Sequence, residues 1–297
     1  MSEKLLFEPE KPELPSVSAF REMGAYEALW SGKGMSFKRL AEMRRGPESI
    51  LSDFVDEATA YDFAGLVRGL LADAGIDEFG VRVYGTWEYP EGLRDAAHPL
   101  ELLYFQGSWD LVYTRSVSVV GTRNPSAKGK ARTRSLVKKL VKDGFTIVSG
   151  LASGIDTVAH TAAIRNGGWT IAVIGTPLSE TYPKENAELQ KRIAKEHLLI
   201  SQIPVWRYSQ QGPQGNRFFF PQRNVTMSAL AEATVIVEAG ETSGTRFQAE
   251  AAIEQGRKVF ILDSCFRNAA LTWPEKFERK GAVRVADYED IRRHLGC

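Results

Sequence analysis

From residue 116 onward the chain alternates between short β-branched runs and stretches of helical periodicity, and that alternation leaves few folds open. The runs are 116–120, 145–148, 169–174, 197–200, 234–237, 258–262 and 282–285. Between them lie helical patterns over 126–142, 156–166, 186–196, 224–230 and 244–255, with a closing helix from Tyr288. Continuous apolar runs of this length suit strands covered on both faces. Runs that alternate with helices imply βαβ units and a parallel sheet. The expected fold class is therefore α/β: a Rossmann-like, doubly wound, mainly parallel sheet, with helices on both faces.

The chain upstream is different. Residues 1–15 mix prolines with charges and read as a flexible tail. Residues 16–75 read as a small helical domain, with helices expected over 36–44, 47–55 and 56–74. Residues 76–297 form the Rossmann-like domain with its lead-in, which includes short extended pieces at 81–84 and 102–105. Within it, 203–223 reads as irregular, because prolines and glycines punctuate it.

Charge is balanced, with 38 basic and 37 acidic side chains and a net charge of +1. Balance disfavours indiscriminate polyanion binding, but clustering decides the matter. Between Asp110 and Asp143 there is no acidic residue, while Arg115, Arg123, Lys128, Lys130, Arg132, Arg134, Lys138, Lys139 and Lys142 are all basic. The two cysteines, Cys265 and Cys297, have no metal-ligand spacing and suggest free thiols in a reducing compartment. No signal peptide and no run of membrane-spanning length is evident, so a cytoplasmic protein without membrane insertion is expected. Glu101–Gly107 reads Glu-Leu-Leu-Tyr-Phe-Gln-Gly, which resembles a tag-removal protease site but is taken as native sequence.

In an open parallel sheet, ligands collect where strands end and helices begin. After the first run come Gly121 and Arg123, a glycine that permits close approach and a planar fork of donors. After the second come Ser149, Gly150, Gly154 and Asp156, read as an amide-rich concavity with a capping aspartate. After the third come Lys184 and Asn186; after the run at 234–237 come Ser243 and Gly244. Arg217, Arg223 and Asn224 lie in a segment that interleaves arginine with aromatics, a mix suited to single strands. Three small-residue loops leading into helices predict a rim that attracts phosphate. The dinucleotide fingerprint is absent, and His160 has no partner at catalytic spacing, so neither a cofactor, nor a metal, nor a catalytic group is expected.

The motifs VVGTR (119–123), SGLASGIDTVAH (149–160), TIAVIG (170–175), YPKEN (182–186), FPQRN (220–224), VIVEA (235–239), SGT (243–245) and GRKVF (256–260) resemble, in order and spacing, the DprA/Smf DNA-processing family. The likeness spans roughly residues 81 to 263. It implies a single-stranded DNA-binding protein of natural transformation, which helps load a RecA-type recombinase and works as a homodimer. It also implies Arg123, Ser149, Gly150, Gly154, Asp156, Lys184, Asn186, Arg223, Asn224, Ser243 and Gly244 as site residues. Val225 stands where the family usually has a second arginine, and Thr245-Arg246-Phe247-Gln248-Ala249-Glu250 departs from its usual Thr-Ala pair. Many members carry a C-terminal winged helix, and this chain reads as a short form without one. The alternative is a nucleotide sensor or nucleotide-hydrolysing enzyme of the same superfamily, such as one acting in phage defence, with Glu250 as its candidate catalytic glutamate.

Overall fold

The computed structural model describes residues 17–46, 49–94 and 100–296. The expected tail at 1–15 lies outside the described residues. Among the described residues nine strands form one sheet: β1 (Gly80–Val83), β2 (Leu102–Gly107), β3 (Ser116–Val120), β4 (Thr146–Ser149), β5 (Thr170–Ile174), β6 (Leu198–Ser201), β7 (Ala233–Ile236), β8 (Lys258–Leu262) and β9 (Val283–Val285). Their spatial order is β1-β2-β6-β5-β4-β3-β7-β8-β9. The strands from β3 to β9 pair in parallel, whereas β1 and β2 join antiparallel at the β6 edge.

That order contains a reversal. From β3 the chain winds outward through β4, β5 and β6, then returns to lay β7 on the other side of β3. The loops that leave β3 and β7 therefore diverge and open a crevice at the carboxyl ends of the strands.

Both faces of the sheet are covered. Val117, Val119 and Ile147 pack under the helices Ala127–Lys142, Ile155–Arg165 and Tyr288–Leu295. Val120, Val148 and Ile236 face the opposite core, shared by the helices Phe219–Leu230 and Thr245–Glu254. The N-terminal helix Ala19–Ser31 belongs to this second core through Met23, Tyr26 and Trp30. Its buried Glu27 accepts hydrogen bonds from the amides of Val205 (2.8 Å) and Trp206 (3.0 Å) and from the Tyr104 hydroxyl. Tyr26 donates to the Gln202 carbonyl.

The segment expected to be irregular is instead helical: Val205–Gln210, Pro213–Asn216 and Phe219–Leu230. Its prolines do not break these helices. Pro204 precedes the first, Pro213 opens the second, and Pro221 sits in the first turn of the third. At such positions the missing amide would have had no intrahelical partner. Conversely, the helix expected over 47–55 is a single short turn, Leu51–Asp53; Pro47 and Glu48 lie outside the described residues.

Candidate functional site

A cleft of about 450 Å³ opens at the reversal between β3 and β7. Gly121, Thr122 and Arg123 form one wall, and Gly240, Thr242, Ser243 and Gly244 the other. Ala152, Asp156, Arg223 and Asn224 lie between them. A small recess that shares Arg123, Ala152 and Arg223 continues toward Gly150, Ser153, Tyr182, Pro183 and Phe220. Loops from β3, β4 and β7 thus meet on one rim.

The loops are pinned to one another by their backbones. Thr122 donates to the Glu238 carbonyl at 2.6 Å, and Ile155 donates to the Thr122 carbonyl at 3.2 Å. Gly154 has a φ of +85°, and a Cβ there would fall 2.4 Å from the Thr122 oxygen. Only glycine fits that turn.

Two of the three amide-rich loops are already occupied by the protein's own carboxylates. Glu238 accepts from the Ser126 amide (2.9 Å) and hydroxyl (2.7 Å), so it closes the start of the helix Ala127–Lys142. Asp156 does not cap its own helix. It reaches back to the amides of Gly150 (3.1 Å) and Ala152 (3.4 Å). The third loop stays open: among the described residues the amides of Thr242 and Gly244 have no acceptor, nor does the Arg123 amide across the cleft. The Arg123 guanidinium is exposed and also lacks an acceptor among the described residues.

Arg223, expected at the pocket as a phosphate contact, does line the cleft but is only 5% exposed and forms its floor. One terminal nitrogen donates to the carbonyls of Val173 (2.6 Å) and Gly150, and its Nε donates to Asn224 Oδ1 (3.0 Å). A Cβ on Gly150 would fall 2.3 Å from that guanidinium, so the glycine permits its close approach. The Gly150 residue is clamped from both sides, its amide by Asp156 and its carbonyl by Arg223. Burial pushes the Asp156 carboxyl up to about 6, against the opposing pull of Arg223 and the loop amides. Burial likewise brings Arg223 down to about 10, although Asp156 opposes the change. The Coulombic attraction is thus only partial recompense for removing both charges from water.

Several predicted residues have structural duties. The Ser149 hydroxyl turns inward and donates to the Val119 carbonyl at 2.8 Å. Asn186 is buried and bridges the Leu151 carbonyl (2.8 Å) and the Thr157 hydroxyl (2.9 Å), bracing the β4 loop from behind. Neither lines the cleft, because each satisfies a buried backbone group that would otherwise be costly to desolvate. Asn224 ties the cleft's two sides together by donating to the Gly244 carbonyl at 3.2 Å. Lys184 and Arg217 are exposed but lie outside both recesses. His160 is buried against the Thr170 hydroxyl, and burial drives its pKa down to about 3. Glu250, the candidate catalytic glutamate, lies outside the cleft and is paired with Lys280.

Sequence reasoning passed over Thr122, Ala152, Met227, Gly240, Thr242, Thr245 and Gln248 as cleft residues. Most of them flank residues it had singled out, so the loops were legible before their individual side chains. Among the described residues no group of histidine, cysteine, aspartate and glutamate could hold a metal, and no helix is long and apolar enough to cross a membrane.

Comparison with known proteins agrees with this geometry. Residues 81–296 match the model of a family described as DNA recombination-mediator protein A. The chain is 37% identical over 209 residues to the DNA processing protein DprA of Bacillus subtilis, covering 70% of this chain and 68% of that one. The X-ray structure of DNA processing protein A from Streptococcus pneumoniae superposes with a TM-score of 0.66 at 28% identity, covering 91% of this chain and 92% of that one. A structure described as giving insight into the unique single-stranded DNA binding mode of DNA processing protein A from Helicobacter pylori superposes with a TM-score of 0.62 at 26% identity, over 73% and 95% of the two chains. The mainly parallel Rossmann-like sheet expected from the sequence is borne out. The chain belongs to the DNA recombination-mediator protein A family, the DprA/Smf family that its motifs resemble.

Proposed function

We propose that this protein binds single-stranded DNA in the cleft between the β3 and β7 loops and acts in DNA processing as a binder, not as a catalyst. The observation that carries the reading is the exposed, unpaired Arg123 guanidinium facing a loop whose amides are unfilled. A phosphate between them would meet a fork of charged donors on one side and the amides of Thr242 and Gly244 on the other. Beside it, Tyr182 and Phe220 lie with ring centroids 5.5 Å apart, and Tyr182 is half exposed. Rings at the mouth of a phosphate site suit unpaired bases, which offer a face for stacking. The Helicobacter pylori relative supports the same ligand class.

Residue roles follow from the geometry. Arg123 contacts phosphate, Arg223 and Asp156 hold the floor, and Asn224 fixes the width of the cleft. Lys184 and Arg217 are exposed outside the cleft and its recess. The nucleotide-hydrolase alternative loses its best support, because Glu250 is engaged with Lys280 outside the cleft. The family resemblance supports a homodimer, a RecA-type recombinase as recipient of the strand, and a role in natural transformation.

The test is fluorescence anisotropy with a labelled oligonucleotide. Replacing Arg123 with alanine should remove charge-assisted hydrogen bonds, with a loss of about 1.5–3 kcal/mol, or roughly 10- to 150-fold in affinity. The loss should be similar for all base sequences, as expected of a backbone contact. Unchanged affinity in Arg123→Ala would refute the assignment.

A further inference from the structure

The helix Ala127–Lys142 carries seven basic side chains and no acidic one. Among the described residues, none of the seven forms an ion pair with a carboxylate. Elsewhere the chain pairs its cations freely: Arg115 with Glu232, Arg284 with Asp263, Lys280 with Glu250 and Arg293 with Asp290. Helix electrostatics explain only part of the pattern. Lys139 and Lys142 sit in the last turn, where a cation is favoured, but Lys128 and Lys130 sit near the first turn, where it is not.

The placement of these charges suggests their use. Lys130, Arg134 and Lys138 recur every four residues and so share one stripe of the helix. Arg134 lines a groove of about 250 Å³ against the neighbouring helix Ile155–Arg165, where Thr157, Thr161, Arg165 and Asn166 form the other bank. Among the described residues no carboxylate lines this groove. Its near end adjoins the cleft along the chain: Thr157 lines the groove and the preceding Asp156 lines the cleft. From Thr157 to Arg165 the groove runs about 12 Å down the flank of the fold at the rise of an α-helix.

We propose that this groove is a second phosphate track, which carries the DNA strand away from the cleft across the flank between these two helices. The proposal rests on the reading of the cleft as a single-strand site and extends it. Arginines on both banks, with no opposing carboxylate in the lining, suit a polyanion, and the apolar floor of Val158 and Ala162 suits the sugars of an unpaired strand between its phosphates. Arg134 and Arg165 would each neutralise one phosphate, with Lys130 and Lys138 adding to the local field. Release of counterions from two single-strand phosphates adds about 1.4 to the slope of log affinity against log salt.

The experiment compares the full chain with Arg134→Ala/Arg165→Ala, using oligothymidine of about 6 and about 20 nucleotides across a salt series. Both arginines are exposed, so the fold should be retained; the charge-preserving pair Arg134→Lys/Arg165→Lys serves as a check. The short oligonucleotide should bind parent and alanine variant alike. With the long one, the alanine variant's salt slope should be shallower by about 1.4, so between 50 and 200 mM salt the parent loses about sevenfold more affinity than the variant does. The lysine pair should keep the parent slope. If the alanine variant binds the long oligonucleotide with parental affinity and slope, the groove lies off the path and the proposal fails, while the cleft reading stands; an acidic protein segment would then be the better occupant. If the parent binds neither oligonucleotide, the cleft reading fails and the groove proposal with it.

Discussion

Replacing Arg223 with methionine should destabilise the protein much more at pH 8 than at pH 5. The guanidinium is buried, donates to two carbonyls and faces a buried carboxylate, Asp156, whose pKa burial has raised to about 6. That raised value means the ionised form is the costly one in the fold. Stability contributed by this group therefore falls as pH rises from the ordinary aspartate range through about 6. At pH 8 the methionine variant must hold an unpaired buried carboxylate or take up a proton against the solution, and breaking such a pair costs about 3–5 kcal/mol. At pH 5 Asp156 is mostly protonated, and the remaining loss is that of two donors to the Gly150 and Val173 carbonyls, about 2 kcal/mol. For a chain of this size each kcal/mol moves Tm by about 2 °C, so the drop should be about 8 °C at pH 8 and about 4 °C at pH 5. Circular-dichroism melts at the two pH values measure it. Adding Asp156→Asn should restore part of the loss at pH 8 and little at pH 5. Equal losses at both pH values would show that the carboxylate and the guanidinium are not coupled, and would undo the account of the cleft floor.

Two further outcomes are expected. Burial also pushes Glu27 up to about 7, so its contribution to stability declines as pH rises from about 5 to 8; Glu27→Gln should flatten that dependence by about 3 kcal/mol in urea titrations, and an unchanged dependence would count against the assignment. Within the Glu101–Gly107 segment, Leu102–Gly107 forms β2, hydrogen-bonded to β1 on one side and β6 on the other, so the tag-removal protease should leave the native chain intact overnight yet cut it once unfolded. Native cleavage between Gln106 and Gly107 would mean that this strand opens readily.

Strands β3 to β9 were legible as runs, and β1 and β2 only as short extended pieces; the central strands, buried on both faces, need little more than β-branched continuity. The helical turns of 205–223 were not, since prolines at helix starts look the same in a sequence as prolines that end helices. At the site, loop residues were easier to place than side-chain directions. Arg123 could be assigned from its position after β3, but nothing in the sequence distinguishes an arginine that faces solvent from one that serves backbone carbonyls, as Arg223 does. Ser149 and Asn186 fit a phosphate-binding pattern while their hydrogen bonds go to the backbone and the Thr157 hydroxyl. Nor could the sequence tell that Glu238 and Asp156 would fill two of the three amide loops, because their partners lie in other segments or in a turn that folds back.

The carboxylate of Glu27 sets a boundary that the family model does not. The family match begins at residue 81, yet a fragment starting there would deprive the helix Val205–Gln210 of the acceptor for its first two amides and leave Tyr104 without its own. It would also uncover the wall against which Phe219 packs through Trp30 and Phe37. The smallest piece that resembles its relatives is thus smaller than the smallest piece able to satisfy its own interior, and trimming to the former would create a sticky, underpacked surface directly behind the helix that supplies Arg223.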